Sequence, residues 1–172
     1  MAAEGRSDSK SATSMELEGD RTILIARTFR APPRIVFDVW TNADFVRRWW
    51  APKSLGAEVA SCEADVRVGG KYRYVTLAHG QEFAFSGTYQ EVSPHTRLAY
   101  TQIFEPMADA GAVIVTVTFE EQAGGTRVVS QEVYPSKEAR EGALASGMEQ
   151  GMRETMDQLD ELAASLASGA AR

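Results

Sequence analysis

The sequence is short of the residues that build disulfides and metal clusters. Cys62 is its one cysteine among 172 residues, and His79 and His95 are its only histidines. A single cysteine cannot close an intramolecular disulfide or form a cysteine-based cluster. With no HExxH pattern either, neither a metal nor a cofactor is implied. No apolar run is long enough to span a bilayer, and the stretch from Ala112 to Val117 suits a buried strand. The N-terminus lacks the apolar centre of a signal peptide. Positive charge is also scarce: the formal net charge is −6, and the one dense basic spot is Arg47-Arg48 beside Lys53. Phosphate binding needs a larger basic surface, so no nucleic-acid partner is expected. A cytoplasmic location without membrane insertion is the expectation. Cys62 reads as a small buried strand residue, since free cysteine is commonly buried and neither histidine is its sequence neighbour.

The length suits one domain with one core. Residues 1–19 are polar, Ser-rich and aperiodic, so they read as a disordered tail, leaving a domain over 20–167 and a short C-terminal tail over 168–172. Ordered structure is expected from about Arg21. Thr22 to Phe29 is rich in β-formers and reads as a strand, stopped by Pro32-Pro33. Proline suits a helix's first turn, and Ile35, Val36, Val39 and Trp40 recur at helical spacing, predicting a short helix over 33–40. Thr41 with Asp44 matches a capping box and predicts a second short helix over 42–50, ended by Ala51-Pro52. Strands are predicted at 57–65, 69–78, 82–92, 96–104, 112–121 and 125–134, separated by turn-forming sequences. Val113, Val115, Val117 and Phe119 share one face of such a strand. The short connections imply antiparallel pairing.

The period then changes. Ser136 is a good N-cap, and Met148, Met152, Met156, Leu159, Leu162 and Leu166 recur at three- and four-residue spacing. This predicts a C-terminal amphipathic helix of about 30 residues, with Gly142, Gly147 and Gly151 weakening it by about 1 kcal/mol each. Close packing, a bend at Ser146-Gly147 or room for a ligand would account for them. A single sheet must bury one face, and this helix carries the long apolar stripe able to cover it. The expected architecture is α+β: a helix-grip fold, a curved antiparallel sheet of about seven strands with two short helices after the first strand and the long helix in its concave face.

Particular segments are familiar in this order: Arg27-Thr28-Phe29-Arg30-Ala31-Pro32, Val36-Phe37-Asp38-Val39-Trp40-Thr41, Arg48-Trp49-Trp50-Ala51-Pro52, Asp65 through Tyr72, Phe85-Ser86-Gly87-Thr88-Tyr89, Val115 through Phe119, and Gly147 through Met152. Over about residues 21–166 the chain resembles the SRPBCC (START-like, birch-pollen-allergen-like) superfamily. Within it, the chain is similar to the stand-alone bacterial branch of the activator of heat-shock-protein-90 ATPase homologues. The resemblance implies a cavity for a small hydrophobic or amphipathic molecule. It also leaves open a protein-binding, co-chaperone-like role with a link to stress response, or a cyclase- or hydrolase-type enzyme. The short polar tail ahead of the domain is expected to leave no room for the separate N-terminal domain found in the eukaryotic co-chaperones.

No residue is assigned a catalytic role. The candidates for a cavity lining are Trp49, Trp50, Tyr72, Tyr74, Phe85, Tyr89, Tyr100, Gln102, Val117, Met148, Met152 and Met156. Adjacent helical tryptophans point about 100° apart, so one of the pair is expected in the core and the other at the cavity or surface. The methionines read either as ordinary helix-on-sheet packing or as an adaptable lining for apolar guests. Inward-facing tyrosines need partners for their hydroxyls and are therefore candidate ligand contacts. Gln131 and Tyr134 belong to the same group of amphipathic strand residues.

Overall fold

The computed structural model describes residues 12–169. Strands β1 (Ser14–Glu18) and β2 (Thr22–Phe29) precede helices α1 (Pro33–Thr41) and α2 (Ala43–Trp49) and a 3-10 turn at Lys53–Leu55. Six strands follow: β3 (Glu58–Ala64), β4 (Lys71–Ala78), β5 (Gln81–Ser93), β6 (Arg97–Phe104), β7 (Val113–Gln122) and β8 (Gly125–Val133). A 3-10 segment at Glu105–Ala110 joins β6 to β7, and helices α3 (Lys137–Ala145) and α4 (Met148–Ala167) close the chain. The strands form one antiparallel sheet in the order β1-β2-β8-β7-β6-β5-β4-β3. This is the expected helix-grip fold: a curved open sheet with a long C-terminal helix.

Three local expectations need correction. The sheet has eight strands rather than about seven, because residues 14–18, assigned to the disordered tail, form edge strand β1. Met15 and Leu17 alternate with glutamates there and pair with Ile25 and Ile23 of β2, a period-two signal too short to stand out from the serines around it. Thr13, just before it, accepts from Arg27 at 3.0 Å and, through its carbonyl, from Arg153. The remainder of that tail, residues 1–11, and residues 170–172 lie outside the described residues.

The second correction is the cap of α2. Asn42 takes that position and its side chain accepts from the Asp44 backbone N–H at 3.0 Å, whereas the Thr41 hydroxyl donates to the Phe37 carbonyl one turn back. Asparagine is as good a cap as threonine, and the chain uses the one whose extended backbone suits it. The third is the C-terminal helix, which is two. Ser136 caps α3 by accepting from the Ala139 N–H, as expected, but Gly147 adopts a left-handed φ of 84° and breaks the run between α3 and α4. Only glycine takes that conformation without steric cost.

Strand alternation fixes what faces the helices. Leu98 of β6 pairs with Val117, and Phe119 of β7 with Val128 of β8, all pointing to the concave side. Together with Phe29, Val36, Val39, Val46, Trp49, Met156, Leu159, Leu162 and Ala163 they form the main core. A second cluster of Ile23, Ile25 and Tyr134 sits under Met15 and the residues Ala139, Ala143, Leu144 and Met148. The C-terminal half of α4 is held by charge as well. Asp160, fully buried, accepts from the Arg30 backbone N–H at 3.1 Å and Nε at 2.9 Å, and lies 3.5 Å from Nη2 of the buried Arg27. Arg27 also donates to Asp157 at 2.5 Å, on the solvent side of the same helix.

Losing one partner of a buried ion pair leaves the other uncompensated, at a cost of about 3–5 kcal/mol, whereas an exposed partner contributes about 1 kcal/mol or less. Asp160→Ala is therefore expected to destabilise the domain by about 3–5 kcal/mol in a denaturant melt and Asp157→Ala by about 1 kcal/mol. Equal losses would contradict this division of roles.

Candidate functional site

The concave face of β4, β5 and β6 is aromatic. Tyr72 and Tyr74 of β4, Tyr89 of β5, and Leu98, Tyr100 and Gln102 of β6 line one wall of a pocket. Trp40 of α1, Trp49 at the end of α2 and Trp50 after it supply the other. Trp49 is locked in the core by donating from Nε1 to the Val39 carbonyl at 2.8 Å. Trp50 points the other way and meets Tyr74 and Phe85 edge-on, with ring centroids 4.8 and 5.5 Å apart. Gln158 of α4 holds this corner by donating to the Trp49 and Ala51 carbonyls, both at 2.9 Å. The cavity these residues enclose has a volume of about 10 Å³, room for about one water. Trp50, Phe85, Tyr100 and Gln102 nonetheless keep accessible surface.

Each tyrosine hydroxyl in the pocket is accounted for. Tyr72 donates to the Thr101 carbonyl at 2.7 Å. Gly87 makes that reach possible, because a Cβ there would stand 1.8 Å from the same carbonyl oxygen and 2.7 Å from the Tyr72 ring. Tyr74 and Tyr89 bond each other, and Trp40 bonds the Tyr100 hydroxyl. Burial pushes the pKa of all four phenols upward, so they stay protonated and serve as hydrogen-bond groups.

Beside that pocket, the same concave face carries a half-buried carboxyl group. Glu132 of β8 shares its face with Val128 and Ser130 and pairs with Val115 of β7 and Ile23 of β2. Val115 in turn pairs with Tyr100. Among the described residues the hydrogen-bond donor to Glu132 is the Tyr134 hydroxyl, at 3.2 Å. Burial pushes the Glu132 carboxyl up to about 7, with the Tyr134 bond pulling the other way. Burial also raises the Tyr134 hydroxyl, and the neighbouring carboxyl adds to that.

The sequence candidates divide as follows. Trp49, Trp50, Tyr72, Tyr74, Tyr89, Tyr100 and Gln102 meet at the pocket, and Phe85 adjoins it through Trp50 and Phe104. Val117 and Met156 belong to the main core, Met148 packs on the second cluster, and half-buried Met152 touches both. Gln131 pairs with Thr116 and faces the convex side. Trp40, Leu98 and Glu132 went unrecognised. Leu98 has the strand parity of Tyr100 and Gln102, and Glu132 that of Val128 and Ser130, so alternation alone could have found both.

Other features offer less chemistry. Cys62 is buried and its thiol is pushed up to about 11 by burial, leaving it protonated and unreactive. His79 and His95 occupy turns with left-handed backbone, and His95 stacks edge-on against Phe37. No described group of three or more His, Cys, Asp or Glu residues could hold a metal ion. A wide groove of about 510 Å³ between α2, β3 and α4 is larger than the pocket, but it is open and lined by both signs of charge, Arg47, Arg48 and Lys53 facing Glu58 and Glu161. No described helix is long and apolar enough to cross a membrane.

Residues 30–164 match the family described as Activator of Hsp90 ATPase homolog 1-like protein. No curated protein matches the chain. Several solved structures share its fold. A protein from Rhodobacter sphaeroides superposes with a TM-score of 0.82 at 23% identity, over 89% of this chain and 99% of that one. A protein from Chromobacterium violaceum is 28% identical, with a TM-score of 0.69 over 83% of this chain and 97% of that one. An AHSA1-like protein from Aeromonas hydrophila gives a TM-score of 0.67 at 22% identity, over 83% and 94%.

The half-buried Glu132 carboxyl carries a pH signature. A carboxyl whose folded pKa is raised binds more protons folded than unfolded, so it destabilises the fold as pH rises from its ordinary value of 4.5 to about 7. Glu132→Gln is therefore expected to stabilise the protein by about 1–3 kcal/mol above pH ~7.5 and by almost nothing below pH ~4.5. Melts across this range read the difference. A gap that does not vary with pH would contradict the raised carboxyl.

Proposed function

From its membership of the Activator of Hsp90 ATPase homolog 1-like family, and from the groups gathered on the concave face, we propose that the chain binds a small hydrophobic or amphipathic molecule between sheet and helices. One observation carries the reading: four tyrosines, a glutamine and a carboxyl group point inward where a dry helix-on-sheet contact would use aliphatic side chains. Buried polar groups cost stability unless satisfied, and a mostly apolar lining with a few placed polar groups is how small-molecule sites are built.

The enclosed volume of about 10 Å³ is too small for such a guest, so binding goes with an opening. The opening we propose lies at Trp50 and the N-terminal half of α4. Trp50 keeps accessible surface, Gly147 breaks the helix just before Met148, and beside Gly151 only Pro52 lies within 4 Å of a would-be Cβ. A cytoplasmic location is part of this proposal, and the free, buried Cys62 is compatible with a reducing compartment.

A chaperone-binding surface is the alternative that the family's description suggests. Its mark would be an exposed apolar patch. Among the described residues the exposed large hydrophobes are Leu17, Leu55, Val68, Met107 and Ile114.

An environment-sensitive naphthalene dye is expected to bind saturably, one per chain, at concentrations well below any unfolding. Trp50→Ala is expected to change its dissociation constant by about threefold or more, worth about 0.7 kcal/mol, while Leu17→Ser leaves it unchanged. Binding that never saturates, or that follows Leu17 rather than Trp50, would contradict the pocket reading.

A further inference from the structure

We propose that the pocket selects organic cations: a hydrophobic amine whose ammonium group is held between the Glu132 carboxylate and the faces of the surrounding tyrosine and tryptophan rings. The inference rests on the binding reading above and names the ligand class for that site.

Glu132 is the anchor. The neighbours set against it by the strand register are apolar or neutral: Ile23 on β2, Val115 on β7, Tyr134 on its own strand and Tyr100 one strand further on, while Arg21, opposite Tyr134, donates to the Pro135 carbonyl at 3.5 Å. The helices contribute Ala139, Ala143, Leu144, Met148 and Met152 to the cluster around Tyr134. The cations on those helices are engaged elsewhere. Arg140 of α3 donates to the carbonyls of Glu18, Gly19 and Thr22, and Arg153 of α4 to Glu149 and the Thr13 carbonyl. The contrast with Asp160, held by two arginines, is direct. A half-buried carboxylate on an apolar face, without a cation beside it, is partly desolvated at a cost, and a ligand carrying the missing positive charge would reduce that cost.

The second half of the site is aromatic. Trp40, Trp50, Tyr72, Tyr74, Tyr89 and Tyr100 surround the pocket, and ring faces attract ammonium groups, tryptophan most strongly. Tyr100 and Glu132 flank Val115 on the concave face, two strand spacings apart or about 10 Å, which is the reach of an arylalkylamine. The Gln102 amide and the tyrosine oxygens can accept from the ammonium N–H groups. A ligand carboxylate or phosphate would meet Glu132 as a like charge, and a neutral ligand would gain nothing from it.

The test uses three probes of one shape: naphthylethylamine, naphthylethanol and naphthylacetate, titrated calorimetrically into the full chain at pH ~8 and pH ~5.5, on either side of the Glu132 midpoint near 7. At the higher pH the amine is expected to bind about tenfold or more tighter than the alcohol, and the acid weakest. Protonating Glu132 at the lower pH removes its charge, so the amine's advantage is expected to shrink to about threefold or less there. Glu132→Gln is expected to abolish the advantage at both pH values. Should that variant fail to fold, Tyr134→Phe serves: loss of its hydrogen bond raises the carboxyl midpoint and moves the onset of amine selectivity to higher pH. Equal binding of all three probes, or amine selectivity unchanged in either variant, overturns the cation proposal and leaves the pocket in place. No saturable binding of any probe, the neutral alcohol included, overturns the pocket and the proposal together.

Discussion

Asp160 decides how the last helix sits. Its carboxylate is wholly buried and is satisfied by the Arg30 backbone and side chain and by the charge of Arg27, which reach it from β2 and the segment just after it. The pairing fixes one rotation and one register of α4 against the sheet, because any other would strand a charge in the core. That register turns Met156, Leu159, Leu162 and Ala163 inward. It also brings Gln158 and Glu154 to the loop after α2, where Gln158 accepts from the Lys53 N–H and Glu154 from Ser54. The tryptophan pair is thus placed by the same helix that the buried charge orients.

The constraint is uneven along the helix. Its C-terminal half is pinned and buried, while residues 148–155 stay largely half-exposed beyond a left-handed glycine. Movement needed to admit a guest would therefore be concentrated at the end nearest Met148 and Met152, leaving the core of the domain intact. Buried Asp160 and half-buried Glu132 then have different physical roles. Asp160 is compensated within the chain and holds the fold. Glu132, with a tyrosine for its donor, is a polar group the fold does not need.

Much of this was legible in the sequence. Period-two runs located the six strands from β3 to β8 within about two residues, and the change to helical spacing after Pro135 located the C-terminal helical region. Local signals failed where two short-range cues competed. Thr41 matched the capping pattern, but the extended backbone at Asn42 puts that next residue in the cap position. β1 was hidden because its two apolar residues carry little signal by themselves and depend on β2 as a partner. The pocket was half legible. Aromatic residues at inward parity were recognised, and alternation also marks Glu132 as inward, but Trp40 joins them only through the placement of α1, which no local pattern encodes. The methionine stripe left both readings open, since helical spacing marks a buried face without saying whether it meets core or cavity.

The central claim is that the concave face holds a small molecule. Native mass spectrometry of the protein purified from its own host, under conditions that keep noncovalent contacts, tests it most directly. The account predicts a mass excess of a few hundred daltons, released on denaturation, absent from Trp50→Ala, and carried by a compound with an aromatic or aliphatic body and a basic nitrogen. A spectrum at the bare chain mass in every preparation, together with no uptake of added amphiphiles, would contradict it.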